Sequence, residues 1–163
     1  MNRHLISSIT LLVLIILIAS CTCKHGEKIT SRDQQSGYDA ALAQKLGADD
    51  YGMKKYVMAF LLAGPNRTQD ADTRTKLQRA HLDNITRLAN EGKLILAGPF
   101  LDDGSIRGIY IFDVQTVEEA KKLTETDPAI QAGSLKMELH PWYGSAALMQ
   151  LNEIHQKLAK LDI

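Results

Sequence analysis

The stretch LILAGPFLDDGSIRGIYIFD, residues 94–113, sets the topology of the whole domain. Two runs of apolar and β-branched residues, 94–100 and 106–113, flank the polar tetrapeptide DDGS at residues 102–105. Runs of this length, joined by a short turn that contains glycine, are typical of a β-hairpin. The stretch therefore predicts a second and a third strand that pair with each other.

A strand and a helix are predicted before the hairpin. Residues 56–63 are rich in β-branched, aromatic and other apolar side chains and end at Gly64-Pro65, which is typical of a buried strand. Within residues 72–91, five side chains recur at helical spacing on one face: Leu77, His81, Ile85, Leu88 and Ala89. This pattern predicts an amphipathic helix that ends at Gly92 and turns His81 towards the core.

A helix and a strand are predicted after the hairpin. Thr116 is a favourable N-cap, and two glutamates follow it in the positive first turn of a helix that ends near Thr126. Residues 135–140 alternate between apolar and polar side chains, and Pro141 follows them. We therefore expect a fourth strand that the proline closes.

The predicted order is strand, helix, strand, strand, helix, strand, which is the ferredoxin-like βαββαβ arrangement. The fold class is α+β, with a four-stranded antiparallel sheet and both helices on one face. We expect the other face to be uncovered and to present aromatic and apolar residues: Tyr56, Met58, Phe60, Leu62, Tyr110 and Phe112. Because an exposed apolar face is unfavourable in water, the pattern predicts a two-fold homodimer in which a second copy covers it.

Residues 144–163 extend the chain beyond the fourth strand. Ser145 is a good N-cap, and apolar residues follow it at three- and four-residue spacing: Leu148, Leu151, Ile154, Leu158 and Leu161. The pattern predicts one amphipathic C-terminal helix, Ser145 to Lys160, that packs on its own domain or on a partner subunit.

The N-terminal region has the features of an exported lipoprotein. A short basic start precedes an apolar run, Leu5–Ile18, which fits a signal peptide. At about 1.5 Å per residue, this run is too short to span the ~30 Å hydrocarbon core of a membrane. Ile18-Ala19-Ser20-Cys21 resembles a lipobox, the cleavage and lipidation signal of bacterial lipoproteins. We therefore expect residues 1–20 to be removed and Cys21 to carry a lipid that anchors the chain in a membrane.

Residues 21–53 are predicted to be a tether with a short lead-in helix before the domain at residues 54–143. The first part of the tether is polar and aperiodic, and Asp39–Leu46 followed by Gly47 fits a short helix. Thr22 follows the cysteine at the position where an aspartate would, by resemblance to lipoproteins, favour the inner membrane. The expected location is therefore the outer membrane of a bacterial cell envelope.

Composition and motif content argue against nucleic acid binding, a disulfide-stabilised domain, and metal or cofactor sites. Lys plus Arg and Asp plus Glu both number 19, so there is no basic excess for nucleic acid. Only two cysteines occur, Cys21 and Cys23, and both lie near the N-terminus, so no disulfide framework is expected in the domain. The five histidines are scattered, and no phosphate-binding glycine loop or Ser-His-Asp order occurs, so no metal or cofactor is expected.

Several spaced motifs resemble those of one family. They are KYVM at 55–58, the histidine at 81, EGKLILAGP at 91–99, DPA at 127–129 and AG at 132–133. Together they are similar to the YCII-related domain family of small dimeric α+β barrel proteins. The resemblance implies that fold and, from a few relatives, a dehalogenase or lyase reaction on chlorinated aromatic ring compounds. It also implies that His81 and Asp127 form the active pair.

Both residues also have structural explanations. His81 is in register with core residues, and Asp127 can cap the turn that Pro128 begins. Three classes of function therefore stay open. The first is an enzyme of the lyase, isomerase or dehalogenase kind that transfers a proton through the pair. The second is a non-catalytic module that binds a small apolar or aromatic ligand at the envelope. The third is an interaction protein whose pocket has no role.

Overall fold

The computed structural model describes residues 37–161. Its elements in chain order are α1 (Ala40–Leu46), β1 (Met53–Ala63), α2 (Ala71–Asn90), β2 (Leu94–Pro99), β3 (Ile106–Phe112), α3 (Val117–Thr124), α4 (Pro128–Gln131), β4 (Leu135–Ser145), a 3-10 segment (Ala146–Gln150) and α5 (Leu151–Leu158).

One antiparallel sheet, in the strand order β2-β3-β1-β4, organises these elements. β1 is central, since Val57 lies opposite Phe112 of β3 on one side and opposite Pro141 of β4 on the other. β2 and β3 pair as the predicted hairpin. The predicted fold class, α+β with a ferredoxin-like βαββαβ core, is therefore confirmed.

Helices α2 and α3 cover one face of the sheet. The buried cluster beneath them contains residues of both helices and of the two central strands: Val57, Ala59, Leu61, Leu88, Tyr110, Phe112 and Ala120. The expectation that Tyr110 and Phe112 lie on the uncovered face is wrong, because they share the face under the helices. β1 is apolar at both of its alternating sets of positions, so its pattern does not indicate which set faces the helices.

The C-terminal segment covers one end of the opposite face. Tyr56 is buried there with Ile95 and Ile111, and residues that follow β4 pack against this cluster: Leu148, Met149 and Leu151. The rest of the face carries a half-buried patch made of Met58, Phe60, Leu62 and Ile109. The expected uncovered apolar face is thereby reduced to this open-face patch.

The prediction of a single α-helix from Ser145 to Lys160 is wrong, because this segment consists of a 3-10 turn followed by a shorter α-helix. Ser145 does act as a cap, but the first turn is a 3-10 segment, and only Leu151–Leu158 is α-helical. In a 3-10 turn, residues three apart lie on the same side, which places both Leu148 and Leu151 against the sheet. The last two leucines of the predicted apolar stripe do not pack against the sheet, since Leu158 and Leu161 are 75% and 85% exposed.

The fourth strand is longer than predicted. It runs through Pro141 and ends at Ser145, with Trp142 and Tyr143 still paired to β1. β4 is an edge strand that pairs only with β1, and a proline is tolerated in such a strand because one side has no partner to bond. The prediction that Pro141 closes the strand is therefore wrong.

Helix α1 is the predicted lead-in helix. Asp39 caps its start by accepting a hydrogen bond from the backbone N–H of Leu42, and Gly47 ends it in the left-handed conformation with φ of 69°. The Asp49 carboxylate then accepts a hydrogen bond from the Tyr143 hydroxyl. This bond lowers the pKa of Asp49 and raises the pKa of Tyr143 to about 12. The lead-in segment is thus fixed to the edge of the sheet.

The predicted signal peptide, residues 1–20, and the predicted lipidation site, Cys21, lie outside the described residues, as does most of the tether. Within residues 37–161, no helix is both long enough and apolar enough to cross a membrane.

Candidate functional site

His81 and Asp127 meet beneath helix α2. His81 lies in the middle of this helix and is only 8% exposed. Its Nδ1 atom is 2.6 Å from Oδ2 of Asp127. Ile85, one turn later on the same face, packs against the core cluster, which is why the helix presents His81 inwards. The two residues of the expected pair are therefore in direct contact.

Asp127 occupies the turn between α3 and α4 and has an exposed fraction of 0%. Its Oδ1 atom accepts a hydrogen bond from the backbone N–H of Ala129 at 2.9 Å, so the carboxylate caps α4. Pro128 stands at the first helical position, where its missing N–H costs nothing. The capping role and the contact with His81, which the sequence left as alternatives, are both present on one carboxylate.

These contacts determine which nitrogen of His81 carries the proton. An ionised carboxylate only accepts hydrogen bonds, so Nδ1 of His81 donates to Asp127. In the neutral imidazole, Nε2 then has a free lone pair. The hydroxyl of Tyr110 lies 3.3 Å from Nε2 and donates to it. Because this distance is long for a bond with an O–H donor, Nε2 is held more weakly than Nδ1.

Tyr110 is a site residue that the sequence analysis missed. It lies on β3, is 2% exposed, and stacks on the imidazole of His81 with ring centroids 6.3 Å apart. Burial, and to a lesser degree the Asp127 charge, raise the pKa of the Tyr110 phenol well above its usual value. Tyr110 therefore stays an O–H donor at neutral pH. The only sequence signal for this role was strand register, which placed Tyr110 on the wrong face.

A second set of hydrogen bonds positions the turn that carries Asp127. Nη2 of Arg87 donates to Oδ1 of Asn84 at 2.7 Å and to the hydroxyl of Thr126 at 2.8 Å. The Thr126 hydroxyl is also 3.0 Å from Oδ1 of Asn84. This network joins α2 directly to the residue before Asp127. Within residues 37–161, Nδ2 of Asn84 is the one buried side-chain polar atom without a hydrogen-bond partner.

The cleft nearest the pair is lined by its neighbours rather than by the pair itself. This cleft has a volume of about 360 Å³ and includes Leu77 and Gln78, one turn before His81, and Ala129, which bonds to Asp127. Neither His81 nor Asp127 is among the residues that line this cleft.

Replacing Asp127 with asparagine tests the assignment of the His81 proton. An amide has one acceptor oxygen, which the N–H of Ala129 requires, so the amide NH2 group would face Nδ1 of His81. We expect Asp127→Asn to move the ring proton from Nδ1 to Nε2, which two-dimensional nitrogen-15 spectra of the histidine rings record directly. The exposed His155 provides an internal control with unchanged signals. An Nδ1–H tautomer at His81 in this variant would contradict the assignment.

Comparisons with known proteins identify the family of this chain. The sequence model of the YCII-related domain matches residues 58–143. The uncharacterised protein YjpA of Bacillus subtilis (strain 168) is 31% identical over 62 residues, which cover 38% of this chain and 71% of YjpA. A solved structure of 5-chloro-2-hydroxyhydroquinone dehydrochlorinase (TftG) from Burkholderia phenoliruptrix, in complex with 2,5-dihydroxybenzoquinone, has a TM-score of 0.41. The sequences are 20% identical, and the match covers 53% of this chain and 92% of that chain. Because the family match spans more than half of the chain, this protein belongs to the YCII-related domain family.

Proposed function

We propose that this protein is an enzyme of the lyase, isomerase or dehalogenase kind that transfers a proton through His81 on a small cyclic or aromatic substrate. The observation that carries the proposal is the 2.6 Å contact between Nδ1 of His81 and Oδ2 of Asp127 within the core. A buried carboxylate that orients an imidazole and leaves its other nitrogen weakly bound is the arrangement of a general base. Asp127 is the positioning residue of this pair.

The proposed step takes place at Nε2 of His81. When Nε2 removes a proton from a carbon or oxygen atom of the substrate, the electron pair of the broken bond stays on the substrate. In an isomerisation, that pair forms a new double bond as a neighbouring one shifts. In a dehalogenation, it forms a double bond while the carbon–halogen bond breaks and halide departs with the electron pair of that bond. The imidazolium that results is stabilised by Asp127. It then returns its proton to another substrate atom or to solvent.

Tyr110 has a role in the same step. Its hydroxyl donates to Nε2 in the described structure and must turn away when that lone pair accepts a substrate proton. An O–H group that keeps its proton at neutral pH can then donate to an oxygen of the substrate on which negative charge develops.

A non-catalytic binding module is the second candidate. The feature that favours it is the cleft beside α2, which offers polar and apolar groups to a ligand while His81 stays 8% exposed behind them. In this case His81 and Asp127 support the wall of the cleft, and ligands bind without being changed. Turnover is what separates the two candidates.

Replacement of His81 tests the catalytic proposal. We expect the full chain, purified in detergent, to exchange substrate C–H protons in heavy water or to consume a member of a panel of hydroxylated aromatic compounds and lactones. His81→Ala should lower that rate by about 10²–10⁴-fold, which is the usual contribution of a general base. His155→Ala, which removes an exposed histidine on α5, should have no effect. Undiminished turnover in a folded His81→Ala protein would refute the proposal.

We also propose that the protein is a homodimer whose subunits meet through the open-face patch. Phe60 lies in this patch beside the ring of His140, at 5.6 Å between ring centroids. Light scattering, with the detergent mass subtracted, should give twice the mass of one chain. Phe60→Asp should give a single chain, because it buries a charge in the interface. Leu101→Asp, at the fully exposed tip of the hairpin, should remain dimeric. A Phe60→Asp protein that stays dimeric would exclude this surface.

Anchoring at the cell envelope is a separate proposal, supported by the lipobox at residues 18–21. We expect a bacterial host to cleave the chain before Cys21 and to attach a lipid there, which mass spectrometry of the mature protein detects. Cys21→Ser should release the protein from the outer-membrane fraction, whereas Cys23→Ser should leave it there. Membrane retention of Cys21→Ser without any lipid would show that the anchor lies elsewhere.

A further inference from the structure

The cleft beside the N-terminal half of α2 combines positive charge with apolar side chains. Its lining contains two arginines and two glutamines, Arg67, Arg74, Gln69 and Gln78, together with three aliphatic residues that are called its apolar floor below, Leu77, Ala129 and Leu135. Guanidinium groups beside an apolar surface are suited to a ligand with an anionic group and an apolar body.

Backbone contacts give this cleft a fixed wall. The N–H of Gly64 donates to the carbonyl of Ser134, and the N–H of Asn66 donates to the carbonyl of Gly133, both at 2.9 Å. A Cβ on Gly64 would lie 2.1 Å from the carbonyl oxygen of Gly133, so a glycine is required for this close approach. The loop that carries Arg67 is thus held against the turn between α4 and β4.

The two arginines are held in place without being neutralised. Nη1 of Arg67 donates to the carbonyl of Ser134 at 3.3 Å, and Nη1 of Arg74 donates to the carbonyl of Gln69 at 2.7 Å. A guanidinium has five N–H donors, so each keeps donors for a ligand. In the described part of the chain, no carboxylate forms a salt bridge with either of them. The cleft therefore has two positive charges without an opposite charge.

The arginine on α2 is aligned with His81. Arg74, Leu77 and His81 follow one another on one face of the helix, and seven residues separate the first from the last, which is about 10.5 Å of helix rise. Ala129 lies across the cleft and bonds to Asp127 through its N–H. A ligand held by Arg74 and lying along Leu77 would therefore extend towards the His81–Asp127 pair.

We infer that the cleft binds a small aromatic carboxylate, with its anionic group on Arg74 and Arg67 and its ring over Leu77 and Ala129. This inference rests on the proposed function, since it assigns the substrate class of that site. The carboxylate forms charge-assisted hydrogen bonds with the two guanidinium groups. The ring then lies about one helical turn from His81, the residue of the proposed proton transfer.

Calorimetric titration of the full chain in detergent tests this inference, with benzoate as the probe and benzamide as its neutral counterpart. We expect benzoate to bind and Arg74→Gln to weaken it by about tenfold to a hundredfold, the usual effect of losing a hydrogen bond between charged groups. Arg74→Lys, which keeps the charge, should bind benzoate with intermediate affinity. Arg107→Gln is the matched control, because Arg107 also bonds to a backbone carbonyl but lies outside the cleft.

Each outcome decides for or against the inference. Benzamide that binds as tightly as benzoate, or equal benzoate affinity in Arg74→Gln and the wild type, would overturn the role of charge. Inorganic phosphate that binds as tightly as benzoate would overturn the role of the apolar floor, and failure of benzoate to bind would overturn the substrate class. His81→Ala should still bind benzoate. A wild-type protein that binds benzoate but turns over no member of the substrate panel would therefore leave the cleft inference standing and refute the enzyme alone.

Discussion

The arrangement of the domain depends on a carboxylate that has no contact with water. Asp127 is fully buried, and each donor or acceptor left unsatisfied in the interior costs about 1–3 kcal/mol. The N–H of Ala129 satisfies one oxygen, and the imidazole of His81 satisfies the other. Satisfying both oxygens requires α4 to begin at Pro128 and α2 to turn its histidine inwards. The hydrogen bonds of a single side chain thus relate two helices that are distant in the sequence.

The sheet lies between the buried polar site of His81, Asp127 and Tyr110 and the open-face patch on its other side. On the helix-covered face, the central strands provide a packed base from which Tyr110 reaches His81. On the opposite face, the C-terminal segment protects Tyr56 and Trp142, and a smaller apolar patch remains half-buried. Because the two faces alternate along each strand, the residues that support the site and those that form the second surface are immediate neighbours in the sequence. A change in strand register would therefore disturb both at once.

Much of the fold could be predicted from periodicity and turn residues, and the errors have physical causes. Residues 94–113 and the helical spacing around His81 predict the hairpin and α2, because these patterns depend on local geometry. The face on which Tyr110 lies could not be predicted. Its partner strand β1 is apolar on both faces, and only the packing of the helices shows which face they cover. The apolar spacing after Ser145 is compatible with both an α-helix and a 3-10 turn, and the sheet surface beneath Leu148 favours the latter locally. The family resemblance implied that His81 and Asp127 form a pair, and the helical spacing predicted that His81 points inwards. Tyr110 and the two arginines of the cleft are brought to the site by tertiary structure alone.

The double use of the Asp127 carboxylate also affects how this protein can change in evolution. Because the same side chain caps a helix and orients His81, drift that abolishes the proposed catalysis would tend to remove the histidine and retain the aspartate. A descendant with Asp127-Pro128 and a neutral hydrogen-bond donor such as asparagine or glutamine at position 81 would still satisfy both oxygens while lacking the proposed base. The aspartate is therefore a marker of ancestry, and the histidine is the better marker of the proposed activity when related chains are sorted.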